Sequence, residues 1–126
     1  MHFYGTQAIN EQGHLTIGGV DTIELAQTYG TPLFVYDTAL IRNRARGFID
    51  TFKEYGVKAQ VAYASKAFAC IAAYQLAEQE NLSLDVVSGG ELFTAIKAGF
   101  PADRIHFHGN NKSVSELQLA FDTKIG

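Results

Sequence analysis

Beyond Gly56 the chain alternates short apolar runs with amphipathic stretches, and this alternation restricts the fold more than any other feature. One run ends near Ala64, a helical stretch covers about Ala69 to Gln79, and a second run spans Leu82 to Val87. Glu91 to Ala98 reads as helix until Gly99 and Pro101 break it, Arg104 to Phe107 forms a third run, and Ser113 to Phe121 a last helix. Strands that alternate with helices at this spacing pair in parallel through right-handed crossovers. A doubly wound sheet and a (β/α)₈ barrel both satisfy such a series, and composition does not separate them. A complete barrel takes roughly 250 residues, so this chain supplies about half of one.

The first part of the chain reads differently. Thr6 to Ile17 alternates weakly around Glu11-Gln12-Gly13, the pattern of a hairpin. Asp21-Thr22-Ile23-Glu24 has capping-box spacing and starts a short helix that ends near Gly30. After Pro32 the run Leu33-Phe34-Val35-Tyr36 reads as a strand. Asp37 is the N-cap of the longest helix, in which Ile41, Ala45, Phe48, Phe52 and Tyr55 recur at steps of four and three as one apolar stripe. Arg42, Arg44 and Arg46 fall mainly off that stripe and read as a solvated face.

With 126 residues and 47% hydrophobic content, the chain has the size and composition of one globular domain. A net charge of −3 gives no general attraction to nucleic acid or to an anionic membrane surface. No apolar stretch is long enough for a membrane span, and Met1-His2-Phe3-Tyr4-Gly5 lacks the basic and apolar regions of a signal peptide. Cys70 is the single cysteine, which excludes an internal disulfide and fits a buried thiol in a reducing cytoplasm. Phe121 to Gly126 reads as a helix exit leading towards a further strand, as expected of an amino-terminal fragment.

Chemistry gathers where the apolar runs end. Lys66 closes Val61-Ala62-Tyr63-Ala64-Ser65-Lys66-Ala67-Phe68. Burying an ammonium is costly unless it is paired or deprotonated, and a neutral lysine amine attacks carbonyls to form a Schiff base. The simpler alternative is a lysine that extends from the strand end into solvent. Ser88 with Gly89, and His108 with Gly109, fall at the next two exits. In a parallel barrel all three share the rim where functional groups collect. Asp85 sits inside an apolar run and needs a cation or a backbone donor. Ser88 and Glu91 have capping-box spacing, as do Ser113 and Glu116. Asn110, Asn111 and Lys112 place amide and ammonium donors at the third exit, with loop structure as the plain alternative. His106 and His108 alternate with Ile105 and Phe107 and so face one side, which raises a metal-dependent barrel hydrolase as a rival. Cys70, His2 and His14 have no convincing ligand spacing, so no metal is expected.

Three segments occur in order: Val61 to Phe68, Leu84-Asp85-Val86-Val87-Ser88-Gly89-Gly90-Glu91-Leu92, and His106-Phe107-His108-Gly109-Asn110-Asn111-Lys112-Ser113. Together they resemble the amino-terminal part of the diaminopimelate decarboxylases, pyridoxal-phosphate enzymes of the alanine-racemase-like group. The resemblance implies an α/β fold, a partial (β/α)₈ TIM barrel over residues 33–126. It assigns residues 1–32 to an extension whose strands belong to a second β domain in a complete protein. It implies decarboxylation of meso-2,6-diaminopimelate to L-lysine by the parent enzyme, with the fragment alone inactive. Other basic amino-acid decarboxylases or racemases of the same fold, and a non-catalytic half barrel, are the alternatives. Lys66 becomes the lysine that carries pyridoxal 5'-phosphate, with Asp85 and His108 as further cofactor-binding residues and Ser88, Glu91 and Asn111 as possible ones. A small-molecule substrate and a homodimer follow from the same resemblance, while the cytoplasmic location rests on the single cysteine and the missing signal peptide.

Overall fold

The computed structural model describes residues 2–125, so Met1 and the end of the expected helix exit at Gly126 lie outside the described residues. The chain divides into two compact units, one up to Arg44 and one from Ala45 onwards.

In the first unit β1 (Ala8–Ile9) pairs antiparallel with β2 (Leu15–Ile17), and β2 pairs antiparallel with β3 (Val20–Asp21). The hairpin forms where the alternation places it, and β3 adds a strand too short to announce itself. Helix α1 (Thr22–Tyr29) starts where Asp21 Oδ1 accepts the Ile23 N–H at 2.8 Å. It stops at Gly30, whose φ of 80° is open to a residue without Cβ. The same Asp21 carboxylate also takes His14 Nδ1 and the Asn10 amide, each at 2.8 Å, which holds its pKa below the ordinary aspartate value. Leu33 to Tyr36 is not the expected strand: the run joins no ladder among the described residues, and all four side chains are exposed. An apolar run becomes a strand only where a neighbouring backbone offers partners for its N–H and C=O groups. Asp37 caps α2 (Thr38–Glu54) as expected, its Oδ1 accepting the Leu40 N–H at 2.9 Å.

The second unit begins within α2. Its parallel sheet runs β4 (Ala62–Ala64), β5 (Ser83–Val86), β6 (Ile105–Phe107), with Ala64 opposite Asp85 and Asp85 opposite His106. The connecting helices are α3 (Ile71–Gln79) and α4 (Gly89–Lys97), and α5 (Val114–Thr123) follows β6. Strand alternation sends Leu84, Val86 and Ile105 to one face, where they pack with Tyr74, Leu92, Ala95 and Phe100 as the core. Each fully buried Leu or Ile side chain contributes about 1.5–3 kcal/mol. The other face carries Ala62, Ala64, Asp85 and His106, small or polar throughout.

Helix α2 does not bury the expected stripe. Ala45 is buried and Ile49 packs against the core, whereas Phe48, Phe52 and Tyr55 are 62%, 40% and 76% exposed. Arg46 is no solvated bystander either: its Nε and Nη2 fork onto Glu80 at 2.6 and 2.9 Å, and Glu80 is nearly fully buried. Adjacent helical positions 45, 46 and 49 share one sector. Meeting Glu80 therefore rotates the docked face away from the phenylalanines.

Candidate active site

Lys66 stands two residues beyond Ala64, on a turn closed by the Phe68 N–H donating to the Ser65 carbonyl at 3.2 Å. Its side chain is exposed and has no hydrogen bond or ion pair among the described residues. The turn sits on Ser65, which is fully buried because it continues the core-facing side of β4. Lys66 is thus an accessible amine on a rigid base.

Asp85 lies at the middle of the sheet, one strand over. Its Oδ2 is 3.7 Å from His108 Nδ1, an ion pair when the imidazole is protonated but too long for a hydrogen bond. Its Oδ1 is buried without a hydrogen-bond partner among the described residues. A buried carboxylate oxygen left unpaired costs free energy and marks a place where a donor completes the site. The side chain that the structure places nearest the Asp85 carboxylate is therefore His108, reached at the exit of β6.

Ser88 and Glu91 do not form the expected capping box. Ser88 Oγ does accept the Glu91 N–H at 3.3 Å. The Glu91 carboxylate, however, leaves its own cap, taking the Val87 N–H at 2.6 Å and facing the Ser65 hydroxyl at 3.1 Å. A stronger pair of donors at the neighbouring strand exits outcompetes the local one. In α5 the box closes in full, Ser113 and Glu116 bonding reciprocally. There Glu116 also accepts the Gly89 N–H at 2.8 Å, an approach that a Cβ on Gly89 would block. These hydrogen bonds from Ser113 and Gly89 hold Glu116 below the ordinary glutamate pKa. Asn111 is exposed and joins none of these contacts, while Lys112 folds back onto the Gly109 carbonyl at 2.8 Å and over the Phe107 ring.

The structure therefore brings Asp85 and His108 together beside the strand exit bearing Lys66, and leaves Asn111 apart. Sequence reasoning missed Ser65 as a contributor. Its signal was a polar residue on the core side of an apolar alternation, next to the lysine. Among the described residues no group of three or more His, Cys, Asp or Glu side chains is placed to hold a metal ion. No helix among them is long and apolar enough to cross a membrane. A groove of about 590 Å³ lined by Arg46, Phe52, Val61 and Glu80 lies at the opposite, amino-terminal ends of the strands, away from this cluster.

The family described as pyridoxal-dependent decarboxylase, pyridoxal binding domain, matches residues 38–126. Diaminopimelate decarboxylase of Bacillus methanolicus is 71% identical over 126 residues, all of this chain and 29% of that protein. The protein of the same name from Bacillus subtilis is 64% identical over the same 126 residues, again 29% of its length. The crystal structure of diaminopimelate decarboxylase from M. jannaschii in complex with L-lysine aligns with a TM-score of 0.86 at 37% identity, over 95% of this chain and 28% of that one. The chain thus spans under a third of the relatives it matches. With the parallel order β4-β5-β6, these likenesses make the fold a partial (β/α)₈ barrel.

Proposed function

The chain belongs to the pyridoxal-dependent decarboxylase family through its pyridoxal binding domain, and from that premise we propose that the protein containing it converts meso-2,6-diaminopimelate to L-lysine. Pyridoxal 5'-phosphate is the cofactor and Lys66 the residue that holds it. The observation that carries this reading is the exposed Lys66 amine on the rim beside Asp85, whose buried Oδ1 lacks a partner. An accessible primary amine and an unsatisfied carboxylate on adjacent strands fit a carbonyl cofactor with a cationic centre. When bound, the cofactor supplies an electron sink for the pair left as carbon dioxide departs. Lys66 Nζ would hold it, and the same amine would be the group that carries a proton to or from a substrate at this rim. Asp85 favours the protonated form of a nearby nitrogen, and His108 orients the Asp85 carboxylate through the 3.7 Å contact. Ser88 and Glu91 shape the second exit, and Asn111 stands at the third.

The relatives named diaminopimelate decarboxylase, one of them bound to L-lysine, support this substrate over other basic amino acids. The same reading includes a homodimer in the cytoplasm. It also includes a division into an extension of residues 1–32 and a barrel portion of residues 33–126, while this chain by itself has no significant turnover. Borohydride reduction of the full-length, cofactor-loaded protein followed by peptide mapping tests the assignment. The reduced pyridoxyl group is expected on Lys66, and finding it on Lys97 or Lys112 refutes it. Carbon dioxide release from meso-diaminopimelate, measured beside ornithine and arginine, tests the substrate.

A further inference from the structure

The turn bearing Lys66 is fastened from its buried side. The Ser65 N–H donates to the Asp85 carbonyl oxygen at 3.2 Å. Ser65 Oγ lies 3.0 Å from that same oxygen and 3.1 Å from Glu91 Oε2, so two acceptors share one hydroxyl proton. Glu91 Oε2 is itself fixed by the Val87 N–H at 2.6 Å, a charge-assisted bond. At its far end the turn is held by the Tyr63 hydroxyl donating to the Phe68 carbonyl at 2.8 Å. Among the described residues Lys66 makes no bond of its own, so the origin of its side chain is set by this backbone, which Ser65 holds at its near end.

A glutamate three residues after a serine N-cap ordinarily returns to the cap's own N–H. Glu116 does so, bonding the Ser113 N–H at 2.8 Å. Glu91 has the same position in α4 and directs its carboxylate to the exits of β4 and β5 instead. We infer that Glu91 is a positioning residue for Lys66, which it holds in place through the buried Ser65 hydroxyl. This rests on Lys66 being the amine that holds the cofactor, and it gives Glu91 a task other than touching cofactor or substrate.

The test uses the full-length protein with Glu91→Ala and Ser65→Ala, singly and together, beside Glu91→Gln, which keeps an acceptor for the Val87 N–H. Hydrogen exchange over residues 63–70 of the cofactor-free protein is the first readout. Either alanine variant should exchange there about tenfold faster, and the double variant by less than the product of the two single effects, because the two share the bond from Ser65 to Glu91. Glu91→Gln should recover most of the protection, and residues 105–107 should be unaffected. The second readout is the rate at which added pyridoxal phosphate becomes trappable by borohydride on Lys66, which should fall by about the same factor. Should Glu91→Ala fail to fold, Ser65→Ala, which leaves the bond from Val87 to Glu91 intact, decides the matter. Unchanged exchange at 63–70 overturns the inference, as does an equal rise at 105–107, which would make Glu91 a general support. If the unaltered protein carries its cofactor on another lysine, the functional reading falls and this inference with it. The exchange pattern separates that failure from a failure of the clamp.

Discussion

Tyr74 is the largest of the fully buried side chains, at 0% exposure, and its hydroxyl lies beside Ser65 without a hydrogen bond of good geometry to any described residue. Burial pushes the phenol pKa up, the neighbouring Ser65 hydroxyl acts the other way, and the Glu91 carboxylate adds to the rise. Tyr74→Phe keeps the ring that fills the core and removes only the oxygen. An unpartnered buried hydroxyl costs about 1–3 kcal/mol. Against that, a gap of roughly 10 Å³ returns only a few tenths of a kcal/mol at about 24 cal/mol per Å³. The substitution should therefore stabilise the unit by about 1 kcal/mol, the reverse of most core changes. Native-state hydrogen exchange of the β5 amides in the full-length protein measures it, since 1 kcal/mol corresponds to about fivefold slower exchange where opening is global. The urea midpoint should move upwards with an unchanged slope. A loss of about 1 kcal/mol instead would show that the hydroxyl is bonded in solution, and the account of the polar cluster behind Lys66 would be wrong.

Asp85→Asn in the full-length enzyme keeps the shape and removes the charge beside the rim. Turnover or cofactor affinity should fall about tenfold or more, with little change in melting temperature. Normal turnover with a large loss of thermal stability would show that Asp85 only anchors the sheet. Glu116 has its pKa lowered in the fold by the Ser113 and Gly89 hydrogen bonds, so its contribution is present above the ordinary glutamate value of 4.5 and is lost as pH falls through the lowered folded value. Glu116→Gln should weaken the protein at neutral pH and flatten its acid limb. Unfolding midpoints measured from about pH 6 down to about pH 3 check this, and parallel curves for the two proteins would contradict it.

What was readable in the chain, and what was not, divides along a physical line. The βα series after Gly56 was legible because period and turn residues act locally, and the three strand exits followed from it. The Asp21, Asp37 and Ser113 caps were legible for the same reason, each side chain bonding an N–H two or three residues away. The misses all required a distant partner to choose between locally equivalent options. Leu33 to Tyr36 has strand composition but joins no ladder. The phase of α2 was set by Glu80, 34 residues from Arg46, and no hydrophobic stripe encodes that. Glu91 repeats the spacing of Glu116, yet only Glu116 also returns to its own cap, because a buried serine hydroxyl stands beside Glu91 alone. The serine-to-glutamate spacing thus specifies where a carboxylate stands, while the neighbouring strand specifies what it holds. Site residues found by motif alone will therefore include positioning groups and contacting groups without distinction. Buried hydrogen-bond partners, such as Ser65 behind Lys66, are what separate the two.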